Sequence, residues 1–477
     1  MLYIDGQWQA AASGASFAVS DPATGKVLDH VADGGAVDAR RAIEAASRAF
    51  GDWAGLTAYQ RSEKLYAAYH LMLERREDLA RLMTSEQGKP LRAARIEVGY
   101  AADFLLWFAE EAKRVYGQTI PSNRAEQRFM VLHQPVGVCA AITPWNYPVS
   151  MLTRKIGPAL AAGCTIVLKP AEQTPLCAIE VFKILHEVGL PPGVVNLVPT
   201  SDPVPVGAEL LSAPEVRKLT FTGSTEVGKL LMAQAATTMK RVSMELGGHA
   251  PFIVYDDADP KRAATGAAMV KVLNTGQACI CPNRLFVQRG IADAFIAALA
   301  DRIGKMTAGS GFTEGVQIGP LVDQPSLDKV ERQVRDAVAK GATVLTGGHR
   351  LTEGPLADGF FFAPTVLSGV TDQMVIYREE TFGPVAPVIV FDEEDEVLTM
   401  ANDTEYGLAS YVYTNDLGRA YRSIEKLKFG IVGVNDINPT GAAAPFGGVK
   451  SSGLGREGGQ DGISEYLDTK LVGLSFS

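Results

Sequence analysis

Short apolar strands alternate with helices between residues 129 and 248, and this rhythm constrains the fold more than any other feature of the chain. Residues 136–142, 165–168 and 218–221 are apolar runs of strand length, separated by glycine- or proline-containing turns and helical segments. Alternation of this kind is typical of βαβ units, whose strands lie parallel in one sheet. The sequence therefore predicts an α/β fold.

The same logic extends along the rest of the 477-residue chain. Residues 37–115 carry apolar side chains at helical spacing, with one helical stretch at 61–86, and a further helix is predicted at 150–162. A second strand–helix alternation begins near residue 249 and resumes after a looser stretch at 307–325. Residues 470–476 form an apolar, strand-like run of the kind that pairs with another domain or chain. At roughly 100–200 residues per domain, the length predicts two or three domains.

Composition excludes several classes of protein. A net charge of -9 without a basic run argues against nucleic-acid binding. The amino-terminal segment lacks the features of a signal peptide, and no stretch of about 18 apolar residues predicts a membrane span. The five cysteines are Cys139, Cys164, Cys177, Cys279 and Cys281. An odd number without a framework spacing predicts reduced thiols and a cytoplasmic location.

Cys279 is the candidate nucleophile. It lies in the turn Asn274-Thr-Gly-Gln-Ala-Cys279, between a predicted helix at 260–273 and a predicted strand at 284–287. A thiol in such a turn reaches a cleft more easily than one within a strand, although an isolated cysteine is more often a core residue. Because the thiolate is the reactive form, the site must also supply a base or lower the pKa of the thiol.

Glu245 and Asn146 are the candidate partners of this thiol. Glu245 ends a predicted strand at 241–245 and precedes two glycines, which puts it at the carboxyl edge of a sheet, where α/β folds bind ligands. Asn146 lies between Pro144 and Pro148, which fix its turn so that the amide can donate to an oxyanion. Taken alone, Glu245 is better explained as an exposed glutamate at a strand end, and Asn146 as an ordinary turn asparagine. His249 is interpreted as structural.

Two further segments predict a dinucleotide site. Gly223-Ser-Thr-Glu-Val-Gly228-Lys229 follows a strand and opens a helix, which is a phosphate-binding arrangement. It approaches a Walker A loop, but Leu230 replaces the hydroxyl residue that would bind Mg²⁺, so a phosphotransferase lacks a required ligand. Lys169 and Glu172 follow another strand and suit an adenosine ribose. No metal-binding spacing is present.

Together these motifs resemble the aldehyde dehydrogenase superfamily over residues 3 to 470. The segments that carry the resemblance lie at 143–148, 169–175, 221–228, 244–248, 276–279, 379–384, 445–448 and 453–457. The resemblance implies a Rossmann-like cofactor domain (1–117 and 139–248), a catalytic α/β domain (249–450) and a small oligomerisation domain (118–138 and 451–477). It also implies a homodimer or homotetramer that acts on a small aldehyde.

The resemblance further implies roles for individual residues. Cys279 attacks the aldehyde, the Asn146 side chain and the Cys279 N–H hold the oxyanion, Glu245 activates the hydrolytic water, and Lys155 tunes the site electrostatically. The implied cofactor-binding residues are Thr143, Trp145, Asn146, Lys169, Glu172, Gly223, Ser224, Leu246, Glu380 and Phe382. Glu172 favours NAD⁺ because a carboxylate accepts from both ribose hydroxyls and repels a 2′-phosphate, whereas Lys169 would attract one. NADP⁺ is therefore the alternative.

The pair Cys279-Ile-Cys281 narrows the choice of substrate, because it resembles the succinate-semialdehyde dehydrogenase branch. In that branch Arg154 matches an arginine that holds the substrate carboxylate through its bidentate fork. Leu273 replaces a second arginine of the branch, and residues 438–444 lack its serine. Succinate semialdehyde is thus the first candidate, and lactaldehyde, glycolaldehyde, ketoglutarate semialdehyde and sulfolactaldehyde are alternatives.

Three alternatives to this chemistry stay open at the level of sequence. They are a P-loop phosphotransferase, a non-catalytic relative and a dehydrogenase that transfers the acyl group to coenzyme A. The second and third would be expected to lack the nucleophile or the Glu245 base. Cys281 is a candidate redox partner of Cys279, or packs in the core.

Overall fold

Two large sheets of eight and seven strands organise the chain, in a computed structural model that describes residues 1–476. Sheets of three and two strands accompany them. The strands are β1 (Leu2–Ile4), β2 (Gln7–Gln9), β3 (Ser16–Ser20), β4 (Val27–Ala32), β5 (Gln118–Pro121), β6 (Gln127–Pro135), β7 (Val138–Ile142), β8 (Thr165–Lys169), β9 (Val195–Leu197), β10 (Val216–Thr222), β11 (Arg241–Glu245), β12 (Ala250–Val254), β13 (Pro282–Gln288), β14 (Thr343–Thr346), β15 (Thr365–Ser368), β16 (Val385–Phe391), β17 (Ala409–Tyr413), β18 (Ile431–Val434), β19 (Gly453–Leu454) and β20 (Leu467–Ser475).

Helices cover the faces of the large sheets. They are α1 (Ala36–Gly55), α2 (Ala58–Glu74), α3 (Arg76–Gln87), α4 (Leu91–Glu111), α5 (Ser150–Ala162), α6 (Pro175–Glu187), α7 (Pro203–Ser212), α8 (Thr225–Ala236), α9 (Pro260–Lys271), α10 (Ala292–Gly304), α11 (Gln324–Ala339), α12 (Val375–Arg378), α13 (Glu394–Asn402), α14 (Leu417–Lys426) and α15 (Gly459–Ser464). Within the described residues, none of these helices is both long and apolar enough to cross a membrane.

The eight-stranded sheet has the order β19-β11-β10-β7-β8-β9-β1-β2. Its five central strands run parallel, and β8 is buried along its whole length, as expected when helices cover both faces. The chain leaves β7 for β8 on one side, while β10 lies on the other side of β7. The carboxyl ends of β7 and β10 therefore flank a topological switch point, where open α/β sheets bind ligands.

The seven-stranded sheet has the order β14-β15-β16-β13-β12-β17-β18, and its strands are parallel except for β14. Alternate side chains of each large sheet enter different hydrophobic clusters. In β7, for example, Cys139 and Ala141 join one cluster, and Val138 and Ala140 join the other. Four such clusters form the core.

The predicted α/β fold is confirmed, and some elements have the predicted bounds. Helix α5 and strand β11 begin and end where the sequence predicts. The helical stretch predicted at 61–86 is instead divided between α2 and α3, because the backbone leaves helical geometry at Arg75, with φ -93° and ψ 14°.

The carboxyl-terminal segment is shared between two sheets. Strand β20 pairs with β6 along nine residue pairs, in the three-stranded sheet β20-β6-β5. Strand β19, by contrast, pairs with β11 at the edge of the eight-stranded sheet. Residues 453–454 thus lie with the predicted cofactor-domain sheet rather than with β20. The domain boundaries themselves stay a prediction.

Candidate active site

A cleft opens where the carboxyl edge of the eight-stranded sheet meets the amino-terminal edge of the seven-stranded sheet. Its lining comes from the segments that follow β7, β10 and β11 and from those that precede β13 and β16. The residues are Pro144, Trp145, Asn146, Met151, Thr222, Gly223, Ser224, Leu246, Gly247, Cys279, Ser326, Lys329, Glu380, Thr381 and Phe382. The structure therefore brings together eight of the predicted site residues in one place.

The turn that carries Cys279 is fixed from several sides. The backbone enters the left-handed region at Asn274 (φ 49°) and Thr275 (φ 61°) and again at Gly276 (φ 79°). A Cβ on Gly276 would lie 2.1 Å from the carbonyl oxygen of Gly383, so only glycine fits there. The buried Gln277 side chain accepts from the Val322 N–H at 3.0 Å and anchors the turn to the segment before α11.

Cys279 is partly exposed and lines the cleft, as the sequence predicts. Burial of its sulfur raises the pKa of the thiol to about 12, and the positive charge of Arg154 opposes this shift. The resting thiol is therefore protonated at neutral pH. Nucleophilic chemistry at this position requires a group that removes the proton.

Asn146 lies beside this turn and is held by three hydrogen bonds. Its Nδ2 donates to the carbonyl oxygen of Gln277 at 3.0 Å. Its own carbonyl oxygen accepts from Lys89 Nζ and from Asn274 Nδ2, each at 2.8 Å. One Nδ2 hydrogen remains uncommitted, and within residues 1–476 the Cys279 N–H has no hydrogen-bond acceptor. Both are donors of the kind that an oxyanion requires.

Glu245 is buried at the end of β11, and neither carboxylate oxygen has a hydrogen-bond partner among the described residues. Burial raises the pKa of Glu245 well above its usual range, and the negative charge of Glu457 raises it further. Arg154 and Lys155 act in the opposite direction. An unpartnered buried carboxyl group with a raised pKa is typical of a general base or acid.

Glu457 is a site residue to which the sequence assigned no role. Its carboxylate lies between two cations, with Oε2 2.7 Å from Arg154 Nε and Oε1 2.5 Å from Lys155 Nζ. Lys155 also donates to Thr222 Oγ1 at 2.7 Å. The motif 453–457 was recognised as part of the family pattern, but no spacing links it to a helix about 300 residues earlier. Only the fold brings them together.

Arg154 is buried rather than lining the cleft. Its guanidinium lies 4.1 Å from the ring centroid of Phe446, and its Nη2 has no hydrogen-bond partner among the described residues. Two cations, Arg154 and Lys155, share the single carboxylate of Glu457. This cluster therefore carries an excess of positive charge near the nucleophile.

The glycine turn after β10 fits a dinucleotide phosphate. Ser224 caps α8 by accepting from the Val227 N–H at 3.3 Å. The N–H groups of Thr225 and Glu226, in the first turn, have no acceptor within residues 1–476. Free donors at a helix amino terminus are a ready-made anion site. Leu230, which replaces a Walker A hydroxyl, is an exposed residue of α8.

The opposite wall of the cleft is formed by the segment before β16. The rings of Trp145 and Phe382 meet edge to face, with centroids 5.5 Å apart. Glu380 accepts from the Gly248 N–H at 2.9 Å, and burial raises its pKa. Ser326 and Lys329 of α11 also line this part. Neither is predicted as a site residue, because α11 begins in the stretch at 307–325 that is interpreted as loose.

Lys169 and Glu172 lie at the end of β8 and Thr143 follows the neighbouring β7, and all three lie outside the cleft that holds Cys279. Lys169 Nζ is 3.3 Å from Glu172 Oε2, and burial lowers the pKa of Lys169. The Thr143 N–H donates to the Lys169 carbonyl oxygen at 3.1 Å, which ties the two strand ends together.

Cys281 is buried, and its thiol donates to the carbonyl oxygen of Val270 at 3.2 Å. Burial raises its pKa to about 11. Both Cys279 and Cys281 are free thiols.

The profile of the aldehyde dehydrogenase family matches residues 8–472. The chain belongs to this family. It is 52% identical to a glutarate-semialdehyde dehydrogenase of Pseudomonas aeruginosa, with 98% of this chain and 96% of the relative aligned. It is also 52% identical to a 3-sulfolactaldehyde dehydrogenase of Pseudomonas putida and 51% identical to the NADP⁺-dependent succinate-semialdehyde dehydrogenase GabD of Escherichia coli. Each of these alignments covers 98% of this chain and 96% of the relative.

Solved structures of aldehyde dehydrogenases and related enzymes have the same fold. A crystal structure of an E. coli NADP-dependent enzyme covers 100% of this chain and 98% of its own, with a TM-score of 0.98 at 50% identity. A betaine aldehyde dehydrogenase from Staphylococcus aureus in complex with NAD⁺ has a TM-score of 0.97 at 40% identity, covering 99% of this chain and 94% of its own.

These findings confirm the predicted family, fold and enzyme class. The protein is an NAD(P)-dependent aldehyde dehydrogenase, an oxidoreductase that oxidises a short aldehyde. The phosphotransferase alternative is thereby excluded.

Proposed function

We propose that this aldehyde dehydrogenase oxidises a short aldehyde that carries an anionic group, with succinate semialdehyde as the first candidate. In this proposal Cys279 is the nucleophile, Glu245 the general base and Asn146 the oxyanion donor. An anionic substrate is supported chiefly by the buried cluster of Arg154, Lys155 and Glu457. In this cluster two cations share one carboxylate near the nucleophile.

The first half of the proposed reaction takes place on the Cys279 sulfur. The Cys279 thiol loses its proton to solvent, and the thiolate attacks the aldehyde carbon, which forms a thiohemiacetal. The oxyanion of this adduct is stabilised by the free N–H of the Asn146 amide and by the Cys279 N–H. When bound, the dinucleotide supplies a nicotinamide ring that accepts a hydride. The carbonyl then re-forms on Cys279 as a thioester.

In the second half, the thioester is hydrolysed. Glu245 takes a proton from water, the resulting hydroxide attacks the acyl carbon, and the Cys279 thiolate leaves. The buried Glu245 carboxylate has no hydrogen-bond partner among the described residues, and its raised pKa makes it a stronger base than an exposed carboxylate. The presence of this carboxyl group also favours hydrolysis over transfer to coenzyme A.

The residues present fit a dinucleotide in an extended arrangement. The free N–H groups at the start of α8 suit the pyrophosphate, and Gly223 lines the cleft beside them. Trp145, Phe382 and Glu380 would surround the nicotinamide half, and Thr143, Lys169 and Glu172 the adenosine half.

Arg154 is proposed to hold the anionic end of the substrate. Its charge acts on Cys279, and its unpartnered, buried Nη2 is a donor without an acceptor among the described residues. The relatives support an anionic substrate, since semialdehydes of dicarboxylic acids and sulfolactaldehyde carry a carboxylate or sulfonate away from the aldehyde. At position 273 this chain has a partly exposed leucine where the succinate-semialdehyde branch has a second arginine. The length of the substrate therefore stays open.

A panel of aldehydes tests the substrate class. Production of NADH would be measured with succinate, glutarate and ketoglutarate semialdehydes, sulfolactaldehyde, lactaldehyde and glycolaldehyde, and with butanal as the uncharged match for succinate semialdehyde. The proposal predicts a higher kcat/KM for the anionic aldehydes. It also predicts that Arg154→Met lowers kcat/KM for succinate semialdehyde more than for butanal. A preference for butanal, or equal losses on both, would overturn it.

NAD⁺ is proposed as the preferred cofactor, because Glu172 lies beside Lys169 and offers a carboxylate to the ribose. The variant Glu172→Gln removes the charge that would repel a 2′-phosphate. We expect it to raise kcat/KM for NADP⁺ relative to NAD⁺. A wild-type enzyme that already favours NADP⁺ would contradict the preference but not the chemistry.

A homodimer or homotetramer is proposed on the basis of β20. This strand lies at the edge of its sheet and exposes Leu471, and β6 exposes Leu132 on the same sheet. A long edge strand with apolar side chains is a template for pairing with another copy. The cytoplasmic location stays a prediction.

A further inference from the structure

Lys89 and Glu97 form an ion pair that is buried behind the active-site cleft. Both side chains are almost fully inaccessible to solvent, with 1% of each exposed, and Lys89 Nζ donates to Glu97 Oε2. Neither residue lines the cleft. Burying a charged pair is unfavourable unless its remaining hydrogen-bonding groups are also satisfied, so the other contacts of the pair indicate what it does.

Lys89 reaches the turn that carries Asn146. Its Nζ donates to the Asn146 carbonyl oxygen at 2.8 Å and lies 4.2 Å from the ring centroid of Tyr147. The same carbonyl oxygen accepts from Asn274 Nδ2 at 2.8 Å, at the start of the nucleophile turn. Lys89 therefore acts on the junction between Asn146 and the segment that leads to Cys279.

Glu97 acts on the next few residues of the same segment. Its Oε1 accepts from the N–H groups of Val149 and Ser150, at 3.0 and 3.2 Å. Ser150 is the first residue of α5, and α5 has no side-chain cap of its own. Since α5 carries Arg154 and Lys155, one carboxylate supplies the amino-terminal cap of the helix that holds both cations.

The backbone around Lys89 is itself fixed. The preceding residue, Gly88, has a left-handed φ of 86°, and a Cβ there would lie 2.4 Å from Pro320 Cγ. A Cβ on Gly311 would lie 2.5 Å from the Lys89 carbonyl oxygen, and the Leu91 N–H donates to the Gly311 carbonyl oxygen at 2.9 Å. The Lys89 side chain therefore extends from a rigid backbone, as a side chain that positions another residue requires.

We propose that the Lys89–Glu97 pair positions the reaction centre, by holding the oxyanion donor Asn146 through Lys89 and helix α5 through Glu97. The inference rests on the proposed role of Asn146 and deepens it. Both residues are positioning residues, since neither lines the cleft. A misplacement of the donor by about 1 Å can lower a rate by about 10²-fold, so loss of the pair should affect acylation strongly.

The test is a double-variant cycle on the rate of hydride transfer, measured as the first-turnover burst of NADH with saturating NAD⁺ and succinate semialdehyde. The four enzymes are the wild type, Lys89→Met, Asn146→Ala and the double variant. Asn146→Ala should slow the burst by about 10²–10³-fold. Lys89→Met should slow it by about 10–100-fold in the wild-type background but by less than threefold in the Asn146→Ala background, because it acts through Asn146.

Stability is separated from positioning by a matched control. Lys240 is another buried lysine, whose Nζ donates to the carbonyl oxygens of Ala213 and Val216 at 2.6 and 2.8 Å, away from the cleft. Lys240→Met should lower the melting temperature and leave the burst rate unchanged. If Lys89→Met does not fold, Lys89→Gln takes its place in the cycle, because it removes the charge and its shorter side chain still offers Glu97 a polar group.

The outcomes distinguish the two claims. Equal slowing by Lys89→Met (or Lys89→Gln) in both backgrounds, or no slowing in the wild type, would overturn the positioning role. A burst that survives Asn146→Ala unchanged would instead overturn the oxyanion assignment in the proposed function. Slowing that disappears only in the Asn146→Ala background supports the inference.

Discussion

The pKa of Glu245 is set by its burial and by the charged residues around it. Burial and the Glu457 carboxylate raise its pKa, while Arg154, Lys155 and Arg456 lower it. Only the deprotonated form can take a proton from water. Deacylation should therefore increase with pH as Glu245 loses its proton, whereas an ordinary exposed carboxyl group would give a flat profile near neutrality.

The variant Glu457→Gln tests this coupling. It removes a negative charge that raises the pKa of Glu245, and it leaves Arg154 and Lys155 without their shared partner. Both changes favour the Glu245 carboxylate, so the rising limb of the deacylation rate should move to lower pH. Single-turnover hydrolysis of the acyl-enzyme across a range of pH gives the measurement. A limb that stays in place or moves to higher pH would contradict the account.

The neighbouring thiols of Cys279 and Cys281 lead to a prediction about oxidation. As a hypothesis, peroxide oxidises the thiols of Cys279 and Cys281 to a strained disulfide, with two molecules of water formed, and dithiothreitol restores activity. Cys281→Ser should lose this reversible protection and be inactivated more permanently. Recovery of activity after peroxide and then dithiothreitol is the readout, and equal behaviour of the variant and the wild type would count against the disulfide.

The sequence predicted the positions of single residues in the cleft better than it predicted contacts between residues. Cys279 and Asn146 were identified from their turns, and the structure places both in the cleft. The partners of the buried charges were not predicted, because Glu457 meets Lys155 and Glu97 meets Val149 only after the chain has folded. No local pattern encodes such pairs.

At the scale of elements, the start of α8 depends on close packing at Gly228. A Cβ there would lie 2.4 Å from Leu246 Cδ2, and Leu246 lines the cleft. Gly228→Val should push Leu246 toward the cleft and raise the KM for the dinucleotide by about tenfold, the equivalent of about 1.4 kcal/mol.

Gly99 provides the control, because it lies inside α4 and, apart from its own helix backbone and chain neighbours, no atom of residues 1–476 lies within 4 Å of a Cβ placed there. Gly99→Ala should leave the KM unchanged and increase stability by about 0.4–1 kcal/mol, through the smaller entropy of the unfolded chain. Steady-state kinetics and urea unfolding measure the two effects. An unchanged KM in Gly228→Val would show that Leu246 does not border the cofactor.

Elements with strong local signals were predicted well, and those defined by pairing were not. Helix α5 begins after a proline-fixed turn and ends at Gly163, which has a left-handed φ of 98°, so both ends are marked in the sequence. Strand β19 consists of two residues in a glycine-rich tail and exists only through its pairing with β11. Such a strand has no periodicity from which to predict it.

At the scale of the whole molecule, assembly should depend on β20. Leu471 of β20 is 65% exposed, whereas Leu417 of α14 is 73% exposed outside this sheet. Leu471→Glu should therefore shift the protein toward smaller species in light scattering, and Leu417→Glu should not. A monomeric wild type would contradict the proposed assembly, as would an equal response to both substitutions.

The arrangement of the two large sheets was predictable in kind but not in detail. The alternation of strands and helices predicted parallel sheets, and the carboxyl edge of the first sheet does carry Asn146, Gly223 and Glu245. The facing edge of the second sheet contributes Cys279 and Glu380 from strand beginnings, an arrangement that arises only when the two sheets meet. Sequence periodicity does not contain that information.

The proposed reaction passes through a thioester on Cys279 that Glu245 hydrolyses. Trapping this thioester tests the proposed reaction most directly. Glu245→Gln would be mixed with NAD⁺ and succinate semialdehyde, quenched in acid and digested, and its peptides weighed by mass spectrometry. We expect an early burst of NADH, little further turnover, and a peptide containing Cys279 that is heavier by the mass of the aldehyde less two hydrogen atoms. Continued turnover without the adduct, or an adduct on another residue, would contradict it.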